Sequence, residues 1–251
     1  MSATDRPPIA INPSTEEAKR LWAMALDLAE AFGVGAKWTL VGGLMVQLHG
    51  FEHHEDSRPT IDIDVLGDSR QRPAMTKRIA EILLERGGEI AMPPRSNKDL
   101  GYRFEIDGEI VEILGPEGLR EDPNTLGKLT TFQVPGGTQA LKRTETVPVS
   151  LDGQPARELR QPNLLGAILI KARVMAKERE KFESDREDLI RLLSFVEDPR
   201  ALAEREDLLK SERRWLKKIE KPLDFSDRGL ANLFTADTLA RSRQAFALLI
   251  A

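Results

Sequence analysis

Two aspartates one residue apart inside a run of Ile and Val limit sharply what residues 58–68, RPTIDIDVLGD, can become. A strand has a side-chain period of two, so Asp62 and Asp64 project from one face, about 6.5 Å apart at Cα, while Ile61, Ile63 and Val65 fill the other. Like charges this close repel unless a cation lies between them. The stretch therefore predicts a buried strand with one apolar face and one carboxylate face suited to a metal ion.

The rest of the chain is that of an ordinary globular protein. Its 251 residues can bury a large core, and 40% hydrophobic with 31% charged residues argues against disorder. No run of about 18 apolar residues is present to span a bilayer, and MSATDRPPIA has neither the basic nor the apolar region of a signal peptide. The absence of cysteine excludes disulfides and thiolate metal sites. These features predict a cytoplasmic protein without membrane partners. A net charge of −4 argues against a surface that grips nucleic acid all over, yet leaves room for a local basic face. KSERRWLKKIEK at 210–221 offers one: Lys210, Arg213, Arg214, Lys217, Lys218 and Lys221 surround Trp215, opposed by Glu212 and Glu220. The ordinary reading is a solvated helix packing Leu208, Leu209, Trp215 and Leu216 inward.

Local signals divide the chain into elements. Ser14 and Glu17 form a possible capping box for a helix carrying Leu21, Ala25, Leu28 and Phe32, which Gly33 can end. KWTLV at 37–41 reads as a strand, Gly42 and Gly43 as a turn, and LMVQLHG at 44–50 as a short helix. The aspartate strand follows, from about Thr60 to Leu66. Pro73 is placed to open a helix closed by Gly87 and Gly88. YRFEIDGEIVEIL at 102–114 predicts a hairpin about Asp107-Gly108, and TVPVSL at 146–151 a further strand. Helical patterns dominate from Asn163. The class predicted is α+β, with a mixed sheet flanked by helices in residues 1–160 and a mainly helical part in residues 161–251.

The chemistry collects around the aspartates. Glu112 is the single charge between Val111 and Ile113, and its strand could lie beside the aspartate strand with Glu112 on the same face. Asp62, Asp64 and Glu112 would then form an all-oxygen site suited to Mg²⁺ or Mn²⁺ with phosphates as remaining ligands. Taken alone, Gly42-Gly43 is a tight turn. Before a helix N-terminus it can also seat a phosphate, because glycine allows close approach and the helix supplies N–H groups and a positive dipole end.

The combination LVGGLMVQLHG at 40–50, RPTIDIDVL at 58–66, RFEIDGEIVEILGP at 103–116 and KARVMAKEREKFESDREDLIRLL at 171–193 resembles the nucleotidyltransferase superfamily, in particular the AbiE-type bacterial nucleotidyltransferase toxins. The resemblance covers about residues 38–195. It implies a nucleotidyltransferase-like fold and metal-dependent transfer of a nucleoside monophosphate from an NTP to an RNA (tRNA) or protein acceptor, with pyrophosphate released. It also implies a toxin of a toxin–antitoxin or phage-defence pair, with a cognate antitoxin as partner. In that reading Asp62, Asp64 and Glu112 bind the metal. Gly42, Gly43, Arg58, Thr60, Lys171 and Asp185 bind the nucleotide, and Lys171 and Asp188 join the acids in catalysis. The family carries aspartate where this chain has Glu112, so a longer side chain must reach the ion or act through water.

Several residues keep two readings. Leu164, Ile168, Lys171 and Met175 stand at helical spacing, which puts a lysine on an apolar stripe; it either snorkels to the surface or answers a negative partner. Asp185 reads as a cap or first-turn acid and Asp188 as a solvated or ion-paired position; the resemblance implies that one of them orients Lys171. Arg58 before Pro59 reads as an exposed arginine or as a phosphate contact. His49, His53 and His54 have loop and core roles. Two other functions share the same motifs: a transferase modifying a small hydroxylated molecule such as an antibiotic, and a non-catalytic relative that binds nucleotide or a protein partner.

Overall fold

The computed structural model describes residues 6–70, 74–91, 100–177 and 182–251. Strand β1 (Ile9–Ile11) leads to helix α1 (Glu16–Phe32), then β2 (Trp38–Val41), α2 (Gly42–Glu52), β3 (Asp62–Gly67) and α3 (Met75–Glu85). Next come β4 (Glu89–Ile90), β5 (Arg103–Ile106), β6 (Glu109–Pro116), β7 (Gln133–Val134), α4 (Gly137–Lys142), β8 (Thr144–Leu151) and β9 (Arg157–Pro162). The remainder is helical: α5 (Leu164–Met175), α6 (Phe182–Ser194), α7 (Pro199–Arg205), α8 (Lys210–Leu223) and α9 (Ala236–Ile250). The α+β class expected from the sequence is the class observed. Pro73 lies outside the described residues.

The larger sheet has the order β2-β3-β6-β5-β4, with β7 on the far end of β6. Its central pair, β3 and β6, is parallel, while β2–β3 and β5–β6 are antiparallel. The hairpin joining β5 to β6 turns at Asp107 (φ 51°) and Gly108 (φ 82°), both left-handed, as a two-residue turn matched to strand twist requires. A smaller sheet, β1-β8-β9, lies beside it. Strands β1, β4 and β7 are too short, at two or three residues, to display a period in the sequence, and the six-residue α4 and β9 are not among the elements expected from it.

Local corrections follow from side-chain reach. Thr15, not Ser14, caps α1, its hydroxyl accepting from Ala18 N at 3.2 Å. Helix α2 begins at Gly42 rather than Leu44, so the glycine pair forms its first turn. Ile61 lies before β3 and is 79% exposed instead of packing with Ile63 and Val65. Along α8, Leu209 is exposed and Trp215 half-buried, and the inward positions are Glu212, Leu216, Ile219 and Leu223.

One continuous apolar core joins the sheets to the helices after Asn163, which caps α5 through its side chain on Gly166 N. Helix α2 lies at its centre, burying Leu44, Met45, Val46, Leu48 and His49 and packing on α5 and α6. This holds the start of α2, the edge of β3 and the lysine-bearing α5 in fixed relation.

Candidate metal and nucleotide site

Register builds the site. In the parallel pair, Asp64 stands opposite Glu112 and Asp62 opposite Ile110, while Ile63, Val65, Val111 and Ile113 fill the core side. Asp62, Asp64 and Glu112 therefore share a face, and each offers a carboxylate oxygen within 4.8 Å of the others, all three residues half-buried. Oxygens bound to one Mg²⁺ at about 2.1 Å lie within about 4.2 Å of one another, so a small inward shift completes the geometry. The glutamate reaches the cluster despite its extra methylene.

Partners orient two of the acids. Thr60 donates its hydroxyl to Asp62 Oδ1 at 2.8 Å. Arg103 Nη1 donates to Glu112 Oε1 at 2.9 Å from the adjacent strand β5. Arg103 was absent from the sequence reading, although counting outward from the Asp107-Gly108 turn pairs residue 103 with residue 112.

The glycine pair has a steric cause. Gly42 has φ +67°, and a Cβ there would lie 1.7 Å from Asp64 Oδ2; a Cβ on Gly43 would lie 2.6 Å from the Thr60 hydroxyl. Both side chains press directly against the first turn of α2, which only glycine permits. The N-terminal end of α2 thus lies directly against the Asp64 carboxylate.

A second, buried network joins α5, α6 and the segment before β3. Lys171 Nζ lies 3.1 Å from Asp185 Oδ1 and 2.7 Å from Asp188 Oδ2, with the lysine only 7% exposed. Arg58 grips Asp188 with both arms, Nε to Oδ1 and Nη2 to Oδ2, each at 2.9 Å. Burial pulls the Lys171 ammonium down, but Asp188 and Asp185 outweigh it and hold its pKa above the usual lysine value. Burial likewise opposes the Arg58 charge, and Asp188 more than restores it. These contacts decide between the paired readings of Lys171, which meets Asp185 and Asp188 rather than snorkelling, and show that Arg58 is not a free surface arginine. Asp185 sits in the first turn of α6, yet it points inward and its Oδ2 is buried without a hydrogen-bond partner. The two aspartates lie one helical turn apart, which brings both to the single lysine.

The histidines stand apart from the acid cluster. His49 is buried, its Nε2 3.1 Å from the Pro162 carbonyl, and burial lowers its pKa to about 4. His53 stacks on Phe195 with ring centroids 4.6 Å apart. Comparison of the chain with protein families and with characterised proteins found no significant match, so any functional reading stands on the residues and their geometry.

Proposed function

We propose that the chain is a metal-dependent nucleotidyltransferase that moves a nucleoside monophosphate from an NTP to an acceptor hydroxyl. The observation carrying this reading is the meeting of Asp62, Asp64 and Glu112 within 4.8 Å on paired strands, against the N-terminal turn of α2. Asp62, Asp64 and Glu112 hold Mg²⁺ or Mn²⁺, which when bound neutralises charge on the phosphates. The backbone N–H groups of Gly42 and Gly43, in the first turn of α2, have no intrahelical acceptor and provide donors for phosphate oxygens. Thr60 fixes Asp62 by its hydroxyl. Arg58, held by Asp188, supplies positive charge to the nucleotide in this reading, and Lys171 acts through Asp188 and Asp185 as a positioning residue. In the reaction the acceptor oxygen bonds to the α-phosphorus, the bond to the β-phosphate bridging oxygen breaks, and pyrophosphate leaves. Glu112 takes the hydroxyl proton. An RNA or protein acceptor and a role as a toxin with a cognate antitoxin belong to this proposal through the sequence resemblance.

The Arg103–Glu112 ion pair favours a second reading, in which an arginine occupies the third carboxylate and the chain binds nucleotide without turnover. One experiment tests both. Mg²⁺ with each NTP should raise Tm, because a ligand that binds only the native state stabilises it by mass action, and pyrophosphate should be released. Asp64→Asn should abolish most of the shift. An unchanged shift in Asp64→Asn rejects the metal site, and a full wild-type shift without pyrophosphate release in the presence of cellular RNA and protein selects the second reading.

A further inference from the structure

The surface of α8 separates charge more completely than its sequence suggests. Lys210, Arg214, Lys217, Lys218 and Lys221 fall at i, i+4, i+7, i+8 and i+11, all exposed, within an arc of about 100° that runs about 16 Å along the helix. Diametrically opposite, Glu212, Leu216, Ile219 and Leu223 are buried. Glu212, which the sequence sets among these cations, faces inward and pairs with Arg143 at 3.0 Å. Glu220 stands outside the arc. Among the described residues the five cations have no carboxylate partner within ion-pair distance.

Such a stripe works against the helix that carries it. Lys210 and Arg214, Arg214 and Lys218, and Lys217 and Lys221 are like charges at i,i+4, each pair destabilising by about 0.2–0.5 kcal/mol. Lys210 also opens the helix, at the positive end of its dipole. In a chain of net charge −4, this concentration of cations on one exposed helix face is suited to a polyanion.

We propose that the outward face of α8 is a docking surface for the phosphate backbone of RNA, and so selects RNA as the acceptor class; that selection rests on the nucleotidyltransferase reading. A lipid surface fits less well, because the apolar residues of α8 face the protein core and leave nothing to insert into a bilayer. Position supports the link to the site. Arg173, two residues beyond Lys171 on α5, places its guanidinium 4.3 Å from the centre of the Trp215 ring, so one helix braces the basic surface and also carries the lysine of the acid network.

The test is fluorescence anisotropy of a fluorescein-labelled oligoribonucleotide with the full chain in EDTA and without NTP, titrated across salt concentrations. Wild type should bind. Arg214→Gln/Lys217→Gln/Lys218→Gln should lose at least about tenfold in affinity at low salt and reduce the slope of log affinity against log salt by about 2. Its Tm should not fall, since three repulsive pairs are relieved, and its Mg²⁺–NTP shift should be unchanged. A control, Arg86→Gln/Lys128→Gln, should bind like wild type. The proposal is overturned if wild type does not bind, if the triple variant binds as wild type does, or if the control loses as much. It is also overturned if polyglutamate or phosphatidylserine vesicles bind the wild type more tightly than RNA does. Failure of the transferase reading would appear separately, as an absent Mg²⁺–NTP shift with RNA binding intact.

Discussion

Lys171 shows how burial changes what a residue means. Its ammonium is enclosed with two carboxylates, and Asp188 is shared with Arg58, so two cations balance two acids in a space nearly closed to solvent. Removing the lysine charge strands Asp185, whose second oxygen already lacks a partner. Lys171→Met is therefore expected to lower unfolding free energy by about 3–5 kcal/mol, as for other broken buried pairs. Lys171→Met/Asp185→Leu, which leaves Arg58 and Asp188 together, should recover most of that loss in chemical denaturation. No recovery would mean that Asp185 is not the group left uncompensated. The lysine's inward position was legible from its apolar stripe and Asp185 or Asp188 as its partner from the resemblance, but that both meet it at once was not, since helical spacing reports which side a residue takes and not what waits there.

At the scale of the element, a buried ion pair anchors α8 alongside its apolar face. Arg143, at the end of α4, meets both oxygens of Glu212 at 3.0 Å and donates to the Glu206 carbonyl; Glu212 Oε2 also accepts from Leu209 N at the helix start. Both side chains are buried. Glu212→Gln removes the charge partner of a buried guanidinium and should cost about 3–5 kcal/mol, with loss of α8 protection in hydrogen exchange before the rest of the chain opens. Uniform exchange across α8 and α2 would contradict this anchoring role. By contrast, the β5–β6 hairpin was legible from Asp107-Gly108 alone, because its register is set by two residues. Glu212 reads as solvent-facing within a run of charges until Arg143, 69 residues away, is brought beneath it.

For the whole molecule, His49 couples the centre of the core to the end of β9. Its Nε2–H donates to the Pro162 carbonyl, leaving Nδ1 as a buried acceptor without a partner, 4.0 Å from Glu52 Oε2. Burial lowers its pKa to about 4 against an ordinary 6.5, with Glu52 opposing the shift in part and His53 and Arg6 adding to it. The unfolded chain thus binds more protons than the folded one between those values, so stability rises with pH across the window. The contribution is fully present above about pH 6.5 and is lost as pH falls toward 4, about 3 kcal/mol in all. Burial lowers His53 as well, adding in the same direction. Denaturation at several pH values should show one cooperative transition, in keeping with the continuous core, with a midpoint that falls across this window. His49→Gln should flatten the slope; an unaltered slope would place the titrating group elsewhere.

The sequence by itself determined the features that depend on neighbours along the chain: the α+β class, the two aspartates on one strand face, the two-residue hairpin and the amphipathic faces of the helices. Periods of 2 and 3.6 make these visible without a partner. Only the tertiary structure decided that β3 and β6 pair in parallel with Asp64 beside Glu112, and that Gly42 and Gly43 yield their side-chain space to Asp64 and Thr60. It also decided that Arg58 and Lys171 meet across Asp188. Each of these joins segments remote in sequence, and the choice among possible partners is made by which arrangement buries the shared apolar core while leaving the buried charges paired.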